Sequence, residues 1–104
     1  MIIEQRTYTL HPGKMAEYQR IYEDEGFELQ KRILGRLVGY FTSESGVLNQ
    51  LIHMWAYDDM MDRHTRRAAL QAEPQWQGYL AKVLPLIQIQ HSQILTPTKF
   101  SPLK

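Results

Sequence analysis

Apolar and polar positions along the first third of the chain predict a strand and then a long helix. Residues 2–10 mix β-branched, aromatic and polar side chains and stop at His11, Pro12 and Gly13, which is typical of a strand followed by a turn. Beyond Lys14 the apolar positions recur at spacings of three, four or seven, which predicts a helix of about five turns. These positions are Met15, Tyr18, Tyr22, Leu29 and Ile33.

The middle of the chain predicts an antiparallel hairpin. Residues 36–44 and 47–57 are both rich in β-branched and aromatic side chains, and only Ser45 and Gly46 separate them. Parallel neighbours need a crossover of about a dozen residues, so a connection this short requires antiparallel strands.

The last third predicts helices and a fourth strand. Asp58 and Asp59 can cap a helix that is interrupted at Glu73 and Pro74, and a further helical piece runs to Pro85. Residues 86–95 alternate apolar and polar side chains and predict a strand, whereas residues 96–104 show no periodicity and predict an extended tail.

The element order βαββαβ predicts an α+β, ferredoxin-like domain over residues 1–95, with a four-stranded antiparallel sheet and helices on one face. Pairing Glu44 with Val47 across the turn divides the hairpin into two faces. One face would carry Val38, Tyr40, Thr42, Asn49, Leu51, His53, Trp55 and Tyr57, and the other Leu37, Gly39, Phe41, Gln50, Ile52, Met54 and Ala56. The pattern leaves open which face meets the helices. Neither set resembles a solvent-exposed surface, so we expect a homodimer in which two sheets pack face to face.

Charge and composition exclude several classes of function. Twelve basic and eleven acidic residues are interspersed, so we expect no nucleic-acid partner. The absence of cysteine excludes disulfides, thiolate metal sites and cysteine nucleophiles, and it suits a reducing cytoplasm. Neither a signal peptide nor a membrane span can be placed in the sequence, so we expect a cytoplasmic protein with no membrane partner.

Three stretches of the chain form a distinctive set: RTYTLHPGKMAEY (residues 6–18), GYFTSESGVLNQLIHMWAYDD (residues 39–59) and RRAALQAEPQWQGYL (residues 66–80). This set resembles the NIPSNAP family. The resemblance covers about four fifths of the chain. It implies the dimeric α+β barrel fold, shared with antibiotic-synthesis monooxygenases, haem-degrading enzymes and chlorite dismutases. It brings no agreed catalytic residues.

The most suggestive polar group lies on the third strand, where Asn49, His53, Trp55 and Tyr57 share one side because their positions are all odd. Burying an unpaired amide or imidazole costs roughly 1–3 kcal/mol, so these groups need partners, water or a ligand. Two interpretations stay open: the side chains hydrogen-bond one another inside the barrel, or they line a ligand pocket.

Other candidates lie on the remaining elements. Glu25 falls on the apolar stripe of the first helix, where it is either a buried acid or the edge of the stripe reaching solvent. Arg6 and Tyr8 share a side of the first strand with Glu4, and a Glu4–Arg6 salt bridge is the simplest account. His91, central in the fourth strand, can face either layer. No histidine pair has the spacing of a helical metal site, so we predict no metal.

Two kinds of function follow. The first is a pocket for a small hydrophobic compound, serving a cofactor-free monooxygenase, isomerase or dehydratase. There His53 would move a proton, Asn49 or Arg6 would hold an oxyanion, and aromatic residues would form the walls. These wall candidates are Tyr8, Tyr22, Tyr40, Trp55, Tyr57 and His91. Haem binding is a variant of this hypothesis, although we predict no cofactor. The second is a non-catalytic binding or assembly module whose polar interior only specifies the dimer.

Overall fold

A computed structural model describes all 104 residues and confirms the predicted α+β, ferredoxin-like fold. Four antiparallel strands form one sheet in the order β2-β3-β1-β4. The strands are β1 (Ile2–Leu10), β2 (Arg36–Thr42), β3 (Gln50–Tyr57) and β4 (Ile87–Leu95). Residues 96–104, which follow β4, contain no helix or strand.

The helices follow the predicted stripes. Helix α1 (Met15–Ile21) continues through a π-helical turn (Tyr22–Gly26) into helix α2 (Phe27–Leu34). Helices α3 (Met60–Gln71) and α4 (Pro74–Val83) follow β3, and a 3₁₀ turn (Leu84–Leu86) leads into β4. No helix is long and apolar enough to cross a membrane.

Both ends of α3 agree with the capping signals in the sequence. The side chain of Asp59 accepts a hydrogen bond from the backbone N–H of Asp62 at 2.8 Å and so caps the helix. Pro74 occupies the first turn of α4, where its missing N–H costs nothing, and separates the two helices.

The hairpin register differs from the prediction by two residues. Tyr40 pairs with His53 and Thr42 with Leu51, and a bulge lies between Leu37 and Gly39. A shift of two keeps the side-chain parity, so Tyr40 and His53 still share a face. The bulge, however, places Leu37 opposite Trp55, and the extra residue Val38 is exposed. The predictions of Val38 on the Tyr40 face and of Leu37 on the opposite face were therefore wrong.

The structure decides which face of the sheet meets the helices. The face that carries Leu51, His53, Trp55 and Tyr57 on β3 is buried, with exposed fractions of 0–1%. The same face includes the even-numbered residues of β1, because Arg6 pairs with His53. The opposite face carries Phe41, Ile52, Met54, Ile89 and His91, has no helix over it, and is called the open face below.

Gly26 lets α4 approach the π-helical turn closely. A Cβ atom at this position would lie 2.9 Å from the ring of Tyr79 and 3.0 Å from that of Tyr22. Only a residue without a side chain leaves room for both rings, which belong to the core.

We expect Gly26→Ala to lower the free energy of unfolding by about 1–3 kcal/mol, because the Tyr79 ring must move in a packed core. Urea unfolding followed by tyrosine and tryptophan fluorescence measures this change. Gly78→Ala is the matched control: Gly78 lies on the exposed side of α4, its Cβ would meet nothing within 4 Å, and helix propensity favours alanine by about 0.5–1 kcal/mol. Equal effects of the two substitutions would contradict the packing role of Gly26.

Candidate functional site

A cavity of about 220 Å³ lies between the buried face of the sheet and the helices. Five tyrosines, some from the sheet and some from the helices, line the cavity. They are Tyr8, Tyr18, Tyr22, Tyr40 and Tyr79. Apolar side chains of α3, α4 and the following turn close the rest, namely Leu70, Trp76, Leu80, Val83, Leu84 and Ile87. An apolar cavity of about 150 Å³ holds benzene, so this one has room for a molecule with a single ring.

The π-helical turn positions Tyr22 as a wall of this cavity. Its hydroxyl donates to Oε1 of the buried Gln30 at 2.5 Å, and its ring lies 5.0 Å from that of Tyr40. These two rings also line a second, more open cleft of about 260 Å³ on their other side. Tyr22 and Tyr40 therefore separate the cavity from this cleft.

Ionisation of the buried phenols is unfavourable. Burial raises the pKa of Tyr18 to about 12, although a hydrogen bond with Tyr79 acts to lower it. Burial raises the pKa of Tyr22 and Tyr79 further. These hydroxyls thus stay protonated at neutral pH and cannot serve as bases.

His53 sits on the sheet side of the cavity between two rings. Tyr40 stacks on it with centroids 4.4 Å apart, and Tyr8 meets it edge to face at 4.9 Å. Its Nδ1 accepts a hydrogen bond of 2.8 Å from the indole Nε1–H of Trp55. Its Nε2 is buried and has no partner in the protein.

The hydrogen bond from Trp55 fixes the tautomer of His53. An indole N–H only donates, so the Nδ1 of His53 has no proton and Nε2 carries it. Burial lowers the pKa of His53 to about 3, and the nearby charge of Arg6 acts in the same direction. At neutral pH His53 is therefore a neutral hydrogen-bond donor. The proton-transfer role expected from the sequence does not fit, because a base would need a free ring nitrogen.

A buried carboxylate, that of Glu4, organises the charged end of the cavity. Arg63 donates to both of its oxygens at 3.1 and 2.8 Å, Arg6 donates at 2.9 Å, and the Ser92 hydroxyl donates at 2.6 Å. Arg67 lies 3.9 Å away, beyond hydrogen-bond distance. The predicted Glu4–Arg6 salt bridge is thus present as part of a larger network. Arg6 and Arg67 also line the cavity.

The network holds Glu4 ionised. Burial alone would raise its pKa, but the hydrogen bonds from Arg63 and Ser92 and the charges of Arg6 and Arg67 lower it to about 2. Arg6 also donates from its Nε–H to the hydroxyl oxygen of Tyr8 at 2.8 Å. The guanidinium of Arg6 is therefore fixed in position beside the cavity.

The structure brings together only some of the residues singled out in the sequence. Arg6, Tyr8, Tyr22, Tyr40 and His53 line the cavity. Trp55 and Tyr57 are fully buried on the same sheet face but lie outside the lining, where Trp55 acts by holding His53.

Asn49 is not on the strand face, contrary to the prediction. Strand β3 begins at Gln50, and Asn49 has a left-handed backbone with φ of 62°, which asparagine tolerates better than most residues. Its carbonyl accepts from the N–H of Leu10 at 2.8 Å. Asn49 thus ends the hairpin loop and does not reach the cavity.

Glu25 and His91 also lie outside the cavity. The carboxylate of Glu25 pairs with the ammonium of Lys82 at 2.8 Å at the edge of the helical layer, which agrees with the solvent-reaching interpretation. His91 pairs with Thr7 and is exposed on the open face. No cluster of three or more histidine or acidic side chains could hold a metal.

Sequence reasoning missed Arg67 and Trp76, which line the cavity from α3 and α4. The indole Nε1–H of Trp76 is buried and has no hydrogen-bond partner, and the same is true of Nε2 of His53. A tryptophan on an apolar helical stripe looks like an ordinary core residue. Only the position of its N–H atom in the folded domain distinguishes it.

Comparison with known proteins decides the family. A family model described as NIPSNAP matches residues 3–102. The chain belongs to the NIPSNAP family. The NIPSNAP domain is 35% identical to Protein NipSnap of Drosophila melanogaster over 97% of this chain and 36% of that protein. It is 40% identical to Protein NipSnap homolog 2 of Danio rerio over 99% of this chain and 35% of that protein. The chain thus spans little more than a third of these relatives.

Solved structures show the same NIPSNAP fold. A family member from Agrobacterium tumefaciens is 46% identical with a TM-score of 0.96, over 100% of this chain and 94% of that one. A NIPSNAP-like domain protein from Burkholderia xenovorans is 44% identical with a TM-score of 0.93, over 97% and 88%. A Nitrosomonas europaea protein described as a candidate antibiotic biosynthesis monooxygenase shares the fold at 10% identity, with a TM-score of 0.69 over 93% and 98%.

Acid should destabilise the NIPSNAP domain through Glu4. Its pKa is about 2 when folded against 4.5 for a free side chain, so the stability it contributes is present above pH 4.5 and is lost towards pH 2. Between pH 6 and pH 3 this loss amounts to about 2 kcal/mol.

Glu4→Gln removes this titration, so its free energy of unfolding should fall by about 2 kcal/mol less than that of the wild type between pH 6 and pH 3. Urea unfolding at each pH measures both. Ser92→Ala keeps the carboxylate but removes one hydrogen bond, so its acid dependence should be intermediate. Identical pH dependence in all three proteins would show that the network does not hold the charge of Glu4.

Proposed function

We propose that the domain binds a small molecule in the cavity between the sheet and the helices. The observation that carries this proposal is the buried, unpartnered Nε2–H of His53, a residue that is 1% exposed and lines the cavity. Buried polar groups are nearly always hydrogen-bonded, and the cavity that His53 lines offers the place where a ligand or ordered water would accept from this donor.

The donors of the cavity suit the stabilisation of an oxyanion. His53 is held in its donating tautomer by Trp55, and Arg6 is fixed by Glu4 and Tyr8. Donors that are already oriented stabilise developing negative charge without reorganising. The lining contains no carboxylate, and its buried phenols stay protonated, so it offers no evident base. If the site is catalytic, reactions of a compound that ionises easily, including cofactor-free oxygenation, fit better than proton abstraction from a weakly acidic one.

Haem fits the cavity poorly. The cavity has a volume of about 220 Å³, which is below the roughly 300–1,000 Å³ of pockets for drug-sized ligands. Iron ligation also requires a ring nitrogen without a proton, whereas Nδ1 of His53 is occupied by Trp55. We therefore do not propose a haem function.

The second candidate, an assembly module, draws support from the open face. Phe41 is 54% exposed and Ile89 is 46% exposed on this face, beside the half-buried Ile52 and Met54. Contiguous exposed apolar side chains on a sheet usually mark an interface. We propose that a second copy of the chain covers the open face, sheet against sheet, and this homodimer is compatible with ligand binding on the other side.

Ligand binding is tested by nuclear magnetic resonance of the His53 ring. In the free protein we expect its ¹⁵N signals to show a protonated Nε2 and a bare Nδ1 throughout pH 5–8, because its pKa is about 3. A panel of single-ring compounds should contain molecules that shift the Nε2–H signal. His53→Phe keeps a ring between Tyr8 and Tyr40 but should abolish binding.

His91→Phe, on the open face, is the matched control and should bind like the wild type. His53→Phe also leaves the indole N–H of Trp55 without an acceptor, so a loss of about 1–3 kcal/mol in unfolding free energy is expected. A panel in which no compound moves the His53 signals, or equal binding by His53→Phe, would count against the proposed site.

The dimer is tested by light scattering coupled to size-exclusion chromatography. We expect a dimer for the wild type and a monomer for Phe41→Glu, which places a charge in the apolar sheet interface. Met61→Glu is the matched control, because Met61 is 69% exposed on α3, away from the open face, and should leave the dimer intact. A monomeric wild type at micromolar concentration would exclude this assembly.

A further inference from the structure

Among the polar groups of the cavity, hydrogen-bond donors and positive charges outnumber acceptors. Two buried N–H donors lack partners, Nε2 of His53 on the sheet and Nε1 of Trp76 on α4. Arg6 and Arg67 line the same cavity, and no aspartate or glutamate does. The acidic side chain beside this lining is Glu4, which accepts a hydrogen bond from Arg6 and lies 3.9 Å from Arg67.

The charges around Glu4 leave a net positive charge beside the cavity, and only one of the guanidinium groups there has no hydrogen bond to the carboxylate. Arg63 and Arg6 hydrogen-bond to the single carboxylate, and Arg67 stands 3.9 Å from it without a hydrogen bond. One carboxylate thus faces three guanidinium groups. Arg67 is the one whose hydrogen-bonding capacity remains available on the cavity side, since Arg6 is held by both Glu4 and Tyr8.

The other lining residues determine how large the ligand can be and how apolar its main part is. Eleven of the seventeen lining residues are aromatic or aliphatic, and the volume of about 220 Å³ suits one ring and a short substituent. A dianion such as a phosphate ester loses more hydration on entering an apolar cavity than a monoanion does. Only one arginine of the lining, Arg67, has no hydrogen bond to Glu4, so the lining offers one free guanidinium and suits a monoanion.

We propose that the ligand of this site is a small monocarboxylate with a single-ring apolar body, the size of benzoate or phenylacetate. Its carboxylate is bound by Arg67, with Arg6 and the unpartnered N–H groups of His53 and Trp76 as further donors. The ring packs among the tyrosines. This inference rests on the proposed function of the cavity and specifies the chemical class of its ligand.

Matched pairs of probes test the charge separately from the cavity. Benzoate and phenylacetate are compared with benzamide and phenylacetamide, which have nearly the same shape but no charge. Titration calorimetry at pH 7, with the His53 and Trp76 N–H signals followed by nuclear magnetic resonance, gives affinity and location. We expect each carboxylate to bind at least tenfold more tightly than its amide and to shift both signals.

Arg67→Gln should bring the carboxylate down to the affinity of its amide while leaving the amide unchanged. Folding should tolerate this substitution, because Arg67 makes no hydrogen bond within the protein and only its 3.9 Å ion pair with Glu4 is lost. Arg20→Gln is the control: it removes the same charge from an exposed position on α1 and should preserve the tenfold preference.

The outcomes distinguish the two levels of the hypothesis. Amides that bind as tightly as carboxylates, with shifts at His53, would overturn the anion inference and leave the proposed cavity site standing. Failure of all four probes to bind would count against both. A carboxylate preference that survives Arg67→Gln but is lost in Arg20→Gln would place the anion elsewhere and also overturn the inference.

Discussion

The buried carboxylate of Glu4 is the interaction on which the rest of the site depends. It receives hydrogen bonds from β1, β4 and α3 through Arg6, Ser92 and Arg63, and so joins the centre and edge of the sheet to a helix. A charge at 0% exposure is stable only with such partners. Because more guanidinium groups gather around it than one carboxylate can neutralise, the network gives the adjoining cavity a positive end.

A second fixed element, the pair Trp55 and His53, gives the cavity its neutral donor. Trp55 lies in the core and has one polar atom, which binds the imidazole of His53 at 2.8 Å. The choice of tautomer follows from this one hydrogen bond. It converts a residue type usually associated with proton transfer into an oriented donor, beside rings that exclude water.

We propose a different role for each face of the sheet. The buried face supplies the polar and aromatic side chains of the cavity. The open face carries apolar residues such as Phe41 and Ile52 and suits a second copy. Similarity to monooxygenase-like proteins at 10% identity shows the shared architecture and carries no reaction with it. The ligand chemistry proposed for the cavity therefore rests on the residues of this chain alone.

The sequence by itself determined the element order, the helix caps and the side-chain parity of the strands outside the bulge of β2, because these depend on local periodicity and on turn chemistry. It placed Tyr40 and His53 on one face even with the register wrong by two, since a shift of two preserves parity. It failed at Asn49, where a left-handed backbone precedes the strand, and it left open whether Glu25 is buried, whereas the structure shows it paired with Lys82 at the edge of the helical layer. Only the tertiary structure decided which face meets the helices, that Arg67 and Trp76 reach the cavity, and that Trp55 fixes His53 as a donor. Those outcomes depend on contacts between residues far apart in the chain, which no local pattern encodes.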